Sequence, residues 1–213
     1  MKNILNFIVE VAKLKGKARR GWLIHQIKNP ETTAEHIFHL AILVWVLGEK
    51  KKINLERAIK IALIHDLCEV YAPDLTSYDA VALPEKGRIT IEQLLNIKPK
   101  SGRPTLNQRK KLEKIKQKPE AKAIKRLIKN LPFKLKQEIS NLWLDYENGL
   151  TKEARFVKQI DRLANLLQGL IYWKEFGKIE YCLWIRRAKE VLDDPIATDF
   201  LKILEKKFVK NKK

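Results

Sequence analysis

Ile61-Ala-Leu-Ile-His-Asp-Leu-Cys68 sets an imidazole and a carboxylate side by side in a run that otherwise reads as an apolar helix. Polar groups on such a background need partners, because an unpaired carboxylate away from water costs several kcal/mol. Ile59, Ala62, Leu63 and Val70 continue the helical spacing. Asn54 is placed to cap the start of this helix, and Pro73 to end it, since it has no amide donor and its ring clashes with the preceding turn. Upstream, Ile4, Leu5, Ile8, Val11 and Leu14 form one apolar stripe that predicts a helix over 2–15. A basic turn from Lys17 to Arg20 and a loop at Asn29-Pro30 follow. Thr32 to Glu35 reads as a capping box opening a helix that runs to about Leu47.

Downstream the character changes between Pro84 and Pro132, where prolines recur at 84, 99, 104, 119 and 132 and Lys/Arg is dense. This stretch reads as a basic insertion with helices over 89–95, 106–116 and 120–129. Helical spacing returns over 133–146, 152–176, 179–192 and 196–209, with Trp143, Leu163, Leu166, Trp173 and Trp184 as core or interface residues. No pair of alternating strands is visible, so the fold class is all-α. The expected organisation is a single domain over 1–213 with an insertion at 84–132 and a basic tail at 205–213.

Composition sets the outer limits. The 213 residues are 45% hydrophobic, which excludes disorder throughout. The longest apolar run, Leu40 to Leu47, is too short to cross a bilayer. No export signal is read at the N-terminus, so a cytoplasmic protein with no membrane association is expected. Cys68 and Cys182 alone support neither a disulfide framework nor a cysteine zinc site. The net charge of +19 is concentrated in residues 98–136 and 202–213, leaving the rest nearly neutral. Those segments could steer anionic substrates, contact nucleic acid without sequence preference, or be solvated helix faces.

The histidines are only four, His25, His36, His39 and His65. Glu35-His36 starts one helix, His65-Asp66-x-x-Glu69 lies on the next, Asp74 follows it, and Asp161 sits within Val157-Lys-Gln-Ile-Asp-Arg-Leu163. Two imidazoles with two carboxylates make a mixed N/O donor set, which suits Mn, Co, Fe, Ni or Zn better than Ca or a thiolate-seeking metal. Glu35 is explained by its capping position and is left out of the site. Glu69 falls one helical turn after His65, so the two are expected on one helix face, where a carboxylate can position or deprotonate a metal-bound water.

These motifs carry a resemblance. Gly21-Trp22, Asn29-Pro-Glu-Thr-Thr-Ala-Glu-His36, Ala62-Leu-Ile-His-Asp-Leu-Cys-Glu69, Ala72-Pro-Asp-Leu75 and Thr151-Lys-Glu-Ala-Arg-Phe-Val-Lys-Gln-Ile-Asp161 resemble the HD-domain metal-dependent phosphohydrolases, and among them the 5′-deoxynucleotidases. The resemblance implies an HD-domain helical bundle in which His36, His65, Asp66 and Asp161 hold one divalent cation (Co, Mn, Fe, Ni, Zn or Mg). It implies that Glu69 and Asp74 orient the attacking water and protonate the leaving oxygen. An arginine of the 17–20 turn, with Arg19 favoured over Arg20, would bind the phosphate, and Trp22 would pack against the sugar. The expected reaction is hydrolysis of (deoxy)ribonucleoside 5′-monophosphates to nucleoside and phosphate. Alternatives are the same site acting on a cyclic nucleotide, a triphosphate or a nucleic-acid end, or a nucleic-acid-binding protein built on the basic insertion. The family is often dimeric, so a homodimer is expected.

Overall fold

The computed structural model describes residues 1–84, 89–97 and 104–210. In chain order its helices are α1 (Lys2–Ala12), α2 (Arg20–Ile24), α3 (Thr33–Gly48), α4 (Leu55–Ile64), α5 (Ser77–Val81), α6 (Ile91–Asn96), α7 (Leu106–Leu127), α8 (Phe133–Asn148), α9 (Lys152–Phe176), α10 (Tyr181–Val191) and α11 (Pro195–Glu205). Among the described residues there is no β-strand, and Ala18 and Thr32 form an isolated antiparallel bridge. The all-α expectation therefore holds. The expected basic tail and the start of the basic segment fall partly outside the described residues, at 211–213 and 98–103.

The chain divides into two compact units. One comprises Met1–Thr32 with Leu67–Pro132, the other Thr33–Asp66 with Phe133–Lys213. In the first unit, Leu75, Ala80, Leu83, Leu94 and Leu112 form a buried cluster. Helix α7 opens on a capping box, with Thr105 N–H donating to Gln108 Oε1 at 2.9 Å and Gln108 N–H to Thr105 Oγ1 at 3.1 Å. It turns Leu112, Ala123, Ile124 and Leu127 inward. The sequence pattern breaks this helix at Pro119, but the helix is continuous through it. Proline removes one helical hydrogen bond; burial of apolar residues on both sides of it and the Lys116–Glu120 ion pair across it, at 3.3 Å, hold the helix together.

The second unit is tied by a few polar contacts around an apolar centre of Leu40, Val44, Ile61, Val157, Ile160, Leu163 and Leu170. Asn54 caps α4, its Oδ1 accepting from Arg57 N–H at 2.9 Å, while its own N–H donates to Glu153 in the first turn of α9 at 2.8 Å. Arg57 Nη2 meets Asp145 of α8 at 2.7 Å. Asp145 also accepts from the backbone N–H and hydroxyl of Thr151, the N-cap of α9, at 2.9 and 2.8 Å. These bonds fix α4, α8 and α9 against one another. Gly48 closes α3 where a Cβ would stand 2.8 Å from Leu55 Cδ1, and Gly177 ends α9 with φ +68°, its N–H donating to Trp173 O at 2.9 Å. Trp143 is buried and Trp173 and Trp184 are half-buried.

One boundary differs from the sequence reading in a way that matters for the site. Helix α4 ends at Ile64, and a 3₁₀ turn at Leu67–Val70 follows. The helix therefore stops well before Pro73, and His65 and Asp66 lie at its C-terminal end, not inside it.

Candidate metal centre

Three helices of the second unit bring their side chains to one point. His36 comes from the first turn of α3, His65 from the end of α4 and Asp161 from the middle of α9. One ligand atom from each lies within 4.8 Å of the others. His36 Nε2 stands 3.0 Å from Asp161 Oδ1, and His65 Nε2 stands 3.0 Å from Asp66 Oδ2. The two imidazole rings meet edge-on at 5.5 Å. The histidine side chains are 1% and 2% exposed, whereas both aspartates keep 21%. The imidazoles are sealed into the unit and the carboxylates form its open side.

The orientation of His65 is set by the backbone. Its Nδ1 lies 2.8 Å from Ala62 O. A carbonyl can only accept, so Nδ1 carries the proton and Nε2 is turned toward the carboxylates. That nitrogen is buried and makes no hydrogen bond of acceptable geometry, despite the nearby Asp66 oxygen. A buried acceptor left this way costs about 1–3 kcal/mol, and a cation among the four side chains would satisfy it. The spacing fits as well. Ligands at right angles on an ion with bonds of about 2.1 Å are about 3.0 Å apart.

The electrostatics fit the same occupant. Burial by itself would push the His65 imidazole down, but the adjacent Asp66 carboxylate, the more distant Asp161 and the bond to Ala62 carry it up to about 9. Burial would raise Asp161, but the hydrogen bond from His36 and the charges of His36 and His65 hold it at about 2. The two carboxylates therefore favour positive charge at this point. Tyr146 of α8 adds a donor, its hydroxyl reaching Asp161 Oδ2 at 3.2 Å while its ring packs on His65 at 5.1 Å. Burial, then the charges of Asp161 and Asp66, hold this phenol well above its ordinary range, so it remains a neutral donor. Asn165, one turn after Asp161, donates to Asp161 Oδ1 at 2.9 Å. The i, i+4 spacing of Asn165 is legible in the sequence; nothing local in the sequence marks Tyr146.

The other expected residues belong to the first unit. Glu69 is buried in the 3₁₀ turn, and Asp74 is half-buried. The shared helix face expected for His65 and Glu69 does not form, because the α-helix has ended before either. Lys17 Nζ donates to the carbonyl of Glu69 and, at 2.6 Å, to that of Ala72, so one ammonium ties down the segment that carries both acids. Asp74 Oδ2 accepts from the backbone N–H of Arg20 at 2.9 Å. The Arg20 guanidinium is held by Asp79, with Nη2 and Nε at 2.7 and 2.9 Å from Oδ1. The one local sign of Asp79 in the sequence is the capping-box pattern Thr76-x-x-Asp79. Its Oδ2 accepts from Thr76 N–H at 2.7 Å. Trp22 is in α2 and only 2% exposed, with its indole N–H on Glu31 Oε2 at 3.0 Å. A side chain so enclosed anchors α2 in the core of the first unit.

Comparison with known proteins agrees with this arrangement. A family profile described as "HD domain" matches residues 11–202. The chain is 32% identical over 171 residues to 5′-deoxynucleotidase HDDC2 of Xenopus laevis, covering 80% of this chain and 70% of that one. It is 29% identical over 200 residues to 5′-deoxynucleotidase hdd1 of Schizosaccharomyces pombe, covering 93% and 87%. Among solved structures, a conserved hypothetical protein of Pyrococcus furiosus superposes with a TM-score of 0.67 at 25% identity, covering 95% of this chain and 99% of that one.

Proposed function

The chain belongs to the HD-domain family of metal-dependent phosphohydrolases, and on that premise we propose that it hydrolyses nucleoside 5′-monophosphates, with the deoxy form preferred, to nucleoside and phosphate. The convergence of His36, His65 and Asp161, with Asp66 against His65, carries the metal-dependent part of this reading. The names of the relatives support the substrate class.

His36, His65, Asp66 and Asp161 are the residues that would hold one divalent cation, of Co, Mn, Fe, Ni, Zn or Mg. Such an ion acidifies water and withdraws charge from a phosphoryl group. The rest of the chemistry falls to the chain's own side chains. Ala62 O holds the His65 proton on Nδ1 and so keeps Nε2 in its ligating orientation. Tyr146 and Asn165 fix the Asp161 carboxylate by donating to one oxygen each. Glu69 and Asp74 share the proton traffic, one orienting the attacking water and taking its proton, the other delivering a proton to the departing 5′-oxygen. Lys17 holds the backbone between them. Arg19, the residue that precedes α2, is assigned to the phosphate, and Arg20 is held by Asp79. Trp22 acts indirectly, by fixing the helix that follows Arg19.

The test is phosphate release from a panel of deoxy- and ribonucleoside 5′-monophosphates, cyclic nucleotides and triphosphates, with divalent metal present and after chelation. Expected are metal-dependent turnover of the deoxy 5′-monophosphates and its loss in Asp66→Ala. In Glu69→Gln a fall of about 100-fold or more is expected with metal content unchanged. Turnover of triphosphates alone, or an unchanged rate in Asp66→Ala, would sink the assignment.

A further inference from the structure

Helix α7 carries nine of the chain's basic residues and two acids, Glu113 and Glu120. Several of the cations are already engaged within the first unit. Lys111 Nζ donates to Pro84 O at 2.7 Å, Lys116 pairs with Glu120 at 3.3 Å, and Arg126 lies over the Tyr71 ring at 3.9 Å. A second set is arranged differently. Lys110, Lys114, Lys118 and Lys122 follow one another at i, i+4, with Lys125 beside the last of them, and all five are exposed. None of these five is in an ion pair among the described residues. With about 100° per residue they occupy one side of the helix, and both acids fall roughly 130° round from its centre.

This order works against the helix. Like charges at i, i+4 are destabilising, and the usual solution on an exposed face is to alternate lysine with glutamate. Here three successive lysine pairs stand in a row, about 6 Å from one to the next and about 22 Å from Lys110 to Lys125. A solvated face does not require such a row, but a linear polyanion laid along it would neutralise it.

The chemistry of the helix separates the candidate polyanions. A membrane-surface helix needs a free apolar face beside its basic one, but the apolar face of α7, with Leu112, Ala123, Ile124 and Leu127, is buried in the unit. Single-stranded nucleic acid is held by basic grooves with aromatic side chains for base stacking, and α7 contains no aromatic residue. What remains is contact with backbone phosphates and no base reading. We propose that the Lys110–Lys114–Lys118–Lys122 row of α7 is a sequence-independent docking surface for duplex nucleic acid. It does not depend on the nucleotide-hydrolysis reading.

The experiment is fluorescence anisotropy of a labelled 20-base-pair DNA duplex of arbitrary sequence, titrated with the full chain over a range of salt concentrations. Four phosphate contacts predict a slope of about −4 in log K against log salt, from roughly −0.9 per contact. In the quadruple variant Lys110→Gln, Lys114→Gln, Lys118→Gln, Lys122→Gln the slope should fall to near zero and binding at low salt should drop by more than about tenfold. The corresponding quadruple Lys→Arg variant should keep both, which separates charge from folding. Absence of duplex binding by the parent at low salt would overturn the proposal. So would an unchanged slope in the Gln variant, or stronger binding to phosphatidylserine vesicles or to an unpaired strand than to the duplex.

Discussion

Replacing Asp145 by alanine removes the carboxylate that joins α4, α8 and the start of α9. It receives Arg57 Nη2 at 2.7 Å and the N–H and hydroxyl of Thr151 at 2.9 and 2.8 Å, and Asp145 itself is 2% exposed. The two Thr151 donors are part-buried, and stranding them costs about 1–3 kcal/mol. The Arg57 side chain is 36% exposed and can turn to water, so the full cost of about 3–5 kcal/mol for breaking a buried ion pair is discounted to about 1. The expected loss is therefore about 3 kcal/mol at pH 7. Burial would raise the Asp145 carboxyl, but the bonds from Arg57 and Thr151 hold it below its ordinary range. A depressed carboxylate stabilises the fold above the unfolded value, near 4, and that contribution disappears as pH falls through the folded value. The gap between parent and Asp145→Ala should thus narrow from pH 7 toward pH 3. Urea unfolding at both pH values measures it, with a midpoint shift of about 1–2 M expected at pH 7. A difference below about 1 kcal/mol at pH 7, or one that does not change in acid, would refute the reasoning.

Two further perturbations follow from the geometry. Tyr146→Phe deletes the hydroxyl on Asp161 and keeps the ring against His65, so metal affinity should weaken by about tenfold while unfolding is little changed, as read by metal titration and urea unfolding in parallel. Gly48→Ala forces a methyl to within 2.8 Å of Leu55 Cδ1 and 3.2 Å of Phe156 Cε1, and a cost of about 1–3 kcal/mol in urea unfolding is expected, with no effect if the α3 end relaxes freely.

The fold class and most helix positions are legible because apolar periodicity survives in each segment on its own; the spacing over 152–176 predicts a helix, and α9 spans those residues. Misreadings arose where a local signal competed with contacts distant in sequence. Pro119 looks like a break, but burial on both sides of it keeps α7 whole. Pro73 has the chemistry of a helix terminator, but α4 ends at Ile64 before reaching it.

Residue types and their spacing supply the chemistry available: two imidazoles and two aspartates at positions where an apolar background demands partners, and a basic excess confined to a few segments. Residue type and helical spacing are local properties, so they can be read in one dimension. Which of these groups meet, and what holds them, depends on how the helices pack. His36 and Asp161 are 125 positions apart and touch at 3.0 Å because α3 and α9 pack together. Tyr146 becomes a donor to that carboxylate because the Arg57–Asp145–Thr151 bonds fix α8 beside α4 and α9. Contacts of that kind depend on packing between helices remote in sequence, and periodicity within a helix carries no record of them.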